Sequence, residues 1–230
     1  MKKITFLILM VFGYFSNAIA LEGINIGASL TAGVFEVDGA KEEFKGQHAG
    51  VGSPGDVSKS TATDGDEAEG AFAIGSVFIE YEINETVALG IDYVPHSLDS
   101  ESTENVQSDM TTSNSSSNKT NTVQVDFEDL TTLYVNINLT DSMYVRAGLV
   151  KVDVITNESL GTGATYGNTD LDGQVIGFGT NVDMDNGIFV RAEANYMTFD
   201  SSEGLTSGDN TITLTNLDGV TASLKIGKSF

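Results

Sequence analysis

The 230-residue chain has no cysteine, no tryptophan, two prolines, two histidines, and 11 basic residues against 33 acidic ones. Each shortage removes a class of protein. Without cysteine there is no disulfide framework, no lipoprotein attachment site and no thiolate chemistry. His48 and His96 stand apart from any cluster spaced for a transition metal, and no glycine-rich loop is built to cradle a phosphate. No cofactor is expected. A formal net charge of −22 repels nucleic acid, which excludes it as a partner. Beyond residue 20 no apolar run approaches the roughly 18 residues of a membrane helix. If this chain crosses a bilayer, it does so as a closed barrel, because only helices and closed barrels satisfy their backbone groups in lipid.

What is present begins with a leader. Lys2 and Lys3 precede an apolar run over 4–15 that is too short to span a membrane, and Ala18-Ile19-Ala20 is a small-x-small cleavage signal. Residues 1–20 are expected to be a signal peptide and 21–230 one barrel domain. Removing Lys2 and Lys3 leaves 9 basic against 33 acidic residues, a net charge of −24. Much of the acid falls in polar stretches, such as Asp64, Asp66, Glu67 and Glu69, or Asp99, Glu101, Glu104 and Asp109.

Period-two patterning dominates the rest. Over 24–34, Ile24, Ile26, Ala28, Leu30, Ala32 and Val34 alternate with Asn, Gly, Ser and Thr. Similar strands are expected over 71–83, 87–93, 123–139, 143–149, 175–182, 188–196 and up to the C-terminal stretch 218–230. There Val220, Ala222, Leu224, Ile226 and Phe230 oppose Thr221, Ser223, Lys225 and Gly227. Around Lys151 the alternation slips, since Val150, Val152 and Val154 take the other parity; a bulge or the end of the membrane segment would account for it. Short turns are expected at 84–86, 140–142 and 183–187, and long loops over 39–70, 95–121, 157–168 and 200–210. Asp183-x-Asp185 resembles the start of a calcium loop but lacks the later acidic ligand, so the segment reads as an Asn-Gly hairpin turn.

Alternation alone leaves open whether the apolar face is inside or outside. The polar face is Gly, Ser, Thr and Asn with isolated charges, which suits a narrow packed interior better than a surface in water. Tyr81 and Phe230 near the short-turn end, and Tyr93 and Tyr196 near the other, suit interfacial girdles. With a terminal strand closing on Phe230, this pattern resembles the small eight-stranded outer-membrane barrels, the family of the OmpA transmembrane domain, OmpX, OmpW and the opacity-type adhesins. The resemblance implies an all-β, eight-stranded antiparallel up-and-down transmembrane barrel, with long loops on one side and short turns on the other. It further implies a place in the bacterial outer membrane and Phe230 as a signal to the barrel-assembly machinery; because the sequence stops at Phe230, the peptidoglycan-binding domain of OmpA-type proteins is not expected here.

Seven charged residues are expected to point inward: Glu80, Glu82, Asp92, Arg146, Arg191, Glu193 and Lys225. Charges of both signs in a low-dielectric interior should pair, so these read as a structural ion-pair network and not as a catalytic site. The expected role is non-enzymatic: a monomer in outer-membrane lipid whose acidic loops provide structural or adhesive contacts to an extracellular ligand. A narrow cation-preferring channel is the alternative, and a barrel hydrolase ranks third.

Overall fold

The computed structural model describes residues 22–44, 68–100, 102–111, 115–160, 166–200, 202–207 and 210–230. The expected signal peptide at 1–20 and His48 lie outside the described residues. Eleven strands follow in order: β1 (Ile24–Phe44), β2 (Ala68–Glu82), β3 (Val87–Tyr93), β4 (Leu98–Asp99), β5 (Thr103–Thr111), β6 (Ser115–Thr140), β7 (Met143–Leu160), β8 (Thr169–Asp183), β9 (Ile188–Phe199), β10 (Ser202–Ser207) and β11 (Asn210–Ser229). Eight of them, β1, β2, β3, β6, β7, β8, β9 and β11, pair in sequence antiparallel, and β1 pairs with β11 to close the ring. Closure leaves the barrel wall without an edge, which a bilayer requires. The last residue takes part in the seam: Phe230 N–H donates to Ile24 O (3.0 Å) and Gly23 N–H to Phe230 O (3.0 Å).

At one end the hairpins are tight. Asn84 Oδ1 accepts from the N–H groups of Thr86 (2.9 Å) and Val87 (3.0 Å), an Asx turn between β2 and β3. Between β8 and β9, Asn186 (φ 69°) and Gly187 (φ 74°) both adopt the left-handed conformation that a short hairpin turn favours.

At the other end the structure departs from the loops expected there. β1 continues to Phe44, β7 to Leu160 and β11 starts at Asn210, while the Ser/Thr/Asn tract forms β5 paired with β6 from Thr103↔Val123 to Thr111↔Ser115. The wall thus rises into two arms, β5–β6–β7 and β10–β11–β1. Backbone pairing needs strand-compatible residues such as Thr and Val but no apolar periodicity, so a polar hairpin reads as loop in a hydropathy pattern.

The lower wall turns its apolar face outward. Leu30, Ile79, Ile91, Leu133, Leu149, Ile176, Leu224 and Ile226 are all exposed on it. Higher up the polarity inverts. The inner face carries a buried cluster of Val150, Val152, Val154, Leu171 and Phe199, with Phe35, Val125, Phe127, Leu130, Met197 and Leu217 packed against it. The outer face there shows Lys151, Asp170, Asp172 and Asp200. Phe35 stacks on Phe72 (centroids 4.7 Å apart) and meets Phe199 edge-on (5.8 Å). A wall facing lipid must be apolar outside; above the lipid, with water around it, the same wall must be apolar inside.

This corrects one expectation and decides between two others. The interior is polar only in its lower part. Of the two readings of the slip at Lys151, a bulge in β7 fails, because Tyr144, Arg146, Val150, Val152 and Val154 are all buried on one continuous inner face; the end of the membrane segment fits, because the outer face passes there from Leu149 to Lys151 and Asp172. A bulge does occur, on the neighbouring strand: between the pairs Glu128↔Asp153 and Thr131↔Lys151, β6 advances one residue more than β7. Asp129 sits in it at φ 52°.

Candidate site in the barrel interior

The lower interior is a lattice of ions, amides and tyrosines, assembled from alternate residues of the wall strands. Glu80 of β2 is its first centre. Its carboxylate accepts from Arg191 Nη1 (2.7 and 2.6 Å to its two oxygens), Tyr134 Oη (2.9 Å) and Asn136 Nδ2 (2.9 Å), with Arg146 Nη2 at 3.8 Å. Glu193 of β9 is the second, accepting from Arg146 Nη1 (2.8 Å), Tyr144 Oη (2.8 Å) and Asn195 Nδ2 (3.0 Å), with Lys225 Nζ at 3.2 Å. Lys225 also reaches Asp92 Oδ2 (3.4 Å). Both glutamate side chains are fully sequestered.

Three carboxylates therefore face three cations, and this part of the lattice is formally neutral. Neutrality matters because an unpaired charge in such a medium costs several kcal/mol or more. The amides finish the pairing: Arg146 Nε donates to Asn136 Oδ1 (3.0 Å) and Arg191 Nε to Asn181 Oδ1 (3.0 Å). The guanidinium of Arg146 lies 3.6 Å from the centroid of the Tyr134 ring, and that of Arg191 lies 4.3 Å from the Phe189 centroid. Arginine suits these places because its planar fork can bond and stack at once.

Two glycines make the room. A Cβ on Gly90 would overlap the Tyr134 ring, and one on Gly179 would overlap the Tyr144 ring. The rings lie flat over these bare positions, which brings their hydroxyls to Glu80 and Glu193.

Of the seven residues singled out from sequence, the structure brings six into direct ion pairing. Glu82 stands at the exposed rim and joins them through Asn25, whose Nδ2 donates to Glu82 Oε1 (2.9 Å) and to Glu80 Oε2 (3.4 Å). Sequence reasoning overlooked the partners Tyr134, Tyr144, Asn136 and Asn195. Their signal was available, since Tyr134 and Asn136 share one parity on β6 and Tyr144 shares that of Arg146 on β7.

Chemically, the two glutamates are saturated acceptors with little space around them, whereas Asn195 Oδ1 and Arg146 Nη2 are buried without a hydrogen bond. A cavity of about 40 Å³ remains between the lattice and the apolar cluster, lined in part by Arg146, Asn195, Thr221 and Lys225. That is room for about one water molecule. On the outer wall, Lys151 Nζ donates to Asp170 Oδ2 (2.7 Å); the ammonium holds the Asp170 carboxyl below its usual range, and the carboxylate raises Lys151.

No protein-family model and no curated protein matches the sequence. Solved structures do match in form. Neisserial surface protein A shares 10% identity at a TM-score of 0.40, over 91% of this chain and 98% of that one. The outer membrane protease OmpT from Escherichia coli shares 11% identity at 0.45, over 94% and 99%. The attachment invasion locus protein Ail of Yersinia pestis, solved with the heparin analogue sucrose octasulfate, shares 10% at 0.38, over 89% and 99%. At these identities and scores the likeness concerns the barrel form. The chain is a closed eight-stranded antiparallel barrel.

Proposed function

We propose that this protein is a non-enzymatic surface barrel of the bacterial outer membrane, which holds its acidic arms outside the cell for structural or adhesive contact with an extracellular ligand. In this reading residues 1–20 direct export and are removed, the barrel-assembly machinery recognises the closing strand with Phe230, and the folded barrel works as a monomer. The inward ions act as a structural lock.

The observation that carries the reading is the filled interior. Below, ions and tyrosines pair across the bore; above, valine, leucine and phenylalanine fill it; between them lies room for about one water. Neither layer offers a path for ions, and the two buried carboxylates have no free side from which to act on a substrate. Contact with the surroundings falls to the outer face and the arms, where the acid collects.

Recording from the purified protein in planar bilayers tests this against the channel alternative. The expected trace shows no discrete steps at neutral pH. Reproducible cation-selective steps that vanish on replacing Arg146 or Arg191 would overturn it. A panel of peptide and acyl substrates tests the hydrolase alternative, with no turnover expected.

A further inference from the structure

Where the outer wall changes from apolar to acidic, a groove of about 280 Å³ crosses β6, β7 and β8 toward Asp200 at the end of β9. Its lining falls into two rows fixed by strand register. The lower row is Leu133, Leu149 and Gln174, joined by the pairs Leu133↔Leu149 and Leu149↔Gln174. The upper row is Thr131, Lys151, Asp172 and Asp200, joined by Thr131↔Lys151, Lys151↔Asp172 and the bond from Asp200 N–H to Asp172 O (2.8 Å). Gly173 contributes no side chain to either row, and the β6 bulge lies directly above.

We propose that this groove seats one lipid with a zwitterionic aminoalkyl-phosphate headgroup, its phosphate on Lys151, its ammonium toward Asp172 and Asp200, and an acyl chain along Leu133 and Leu149. Three features select that chemistry. The two leucines are 50% and 62% exposed at the top of the apolar belt, a surface that only hydrocarbon covers favourably. Lys151 has three N–H donors and spends one on Asp170, which leaves two for a phosphate. Among the described residues Asp172 and Asp200 form no ion pair, and Lys151, the cation beside Asp172, is bonded to Asp170, so a purely anionic headgroup would set its phosphate beside two uncompensated carboxylates, whereas a headgroup carrying its own ammonium compensates them. Thr131 and Gln174 supply neutral hydrogen-bonding groups between the charged rim and the leucines, at the depth of ester and glycerol oxygens.

The inference rests on the bilayer placement of the belt proposed above, and the test keeps the two apart. The barrel, refolded in detergent and checked for heat-modifiable migration, is offered equimolar phosphatidylethanolamine and phosphatidylglycerol of identical acyl chains, and retained lipid is counted by native mass spectrometry. Phosphatidylethanolamine should be retained about fivefold more, the scale of one partly exposed ion pair. Asp172→Asn with Asp200→Asn should abolish the preference, and Lys151→Gln should lower retention of both lipids. Equal retention by the parent protein, a preference that survives the double substitution, or a reversal toward phosphatidylglycerol on adding magnesium would overturn the groove proposal. Failure of the parent protein to insert into vesicles would instead count against the bilayer placement.

Discussion

At the scale of single residues, the interior is governed by the rule that every buried charge needs several partners. Arg146 shows it most clearly, because it touches both glutamates, Asn136 and the Tyr134 ring. Replacing it by methionine keeps the volume and leaves Glu193 with Lys225 as its remaining cation. The expected loss is about 3–5 kcal/mol, the scale for breaking one side of a buried pair, read from urea unfolding in detergent micelles. Gly179→Ala should cost about 1–3 kcal/mol by forcing the Tyr144 ring off Glu193, which near-ultraviolet circular dichroism would register as well. Lys151 and Asp170 are exposed, so their pair is screened. Its small contribution is present where both are charged and fades as pH falls through the lowered carboxyl range or rises through the raised ammonium range. The unfolding midpoint of Lys151→Gln should match the parent at neutral pH.

At the scale of elements, β6 and β7 reach the same inversion of faces by different routes. β7 keeps an unbroken register and changes its sequence, moving its large apolar residues from Val145 and Leu149 outside to Val150, Val152 and Val154 inside. β6 keeps most of its apolar residues at odd positions, Val125, Phe127, Leu133 and Ile137, and uses the Asp129 bulge to turn them from lipid to core, with Leu130 beside the bulge reaching the core from an even position. Removing the extra residue should therefore break one face or the other. Deleting Asp129 is expected to set Val125 and Phe127 outward and lower the yield of heat-modifiable barrel, whereas Asp129→Gly, which suits the left-handed backbone, should assemble normally. The β5–β6 arm stands outside this constraint. Replacing residues 104–121 by a short turn should leave the barrel assembled with its unfolding transition unchanged, because β5 pairs with β6 alone and the closed ring of eight strands does not pass through it.

At the scale of the whole molecule, two stacked environments share one closed wall: a lipid-facing barrel with an ionic interior, and above it a water-facing barrel with an apolar interior. The seam that closes both is β1 against β11, paired from Asn25↔Ser229 up to Phe44↔Asn210. Phe230→Ala should reduce the amount of barrel reaching the membrane in cells while leaving in-vitro refolding in detergent unchanged, if its role lies in recognition during assembly. Loss in both settings would locate its role in the seam.

The eight-strand rhythm and the outward belt were legible in the sequence, because period-two alternation is a local property and lipid enforces it residue by residue; of the seven charges expected inside, Glu82 lies at the exposed rim. Which charges meet was not legible. Glu80 pairs with Arg191 across 111 positions, and Lys225 with Asp92 across 133, so barrel closure and strand stagger alone bring them together. The inversion above Lys151 was legible only as an alternative: the parity change at Val150, Val152 and Val154 fitted a bulge or the end of the membrane segment equally well. Only the closed tertiary wall, by enclosing those side chains with Leu171 and Phe199, decided that a change of parity was a change of solvent.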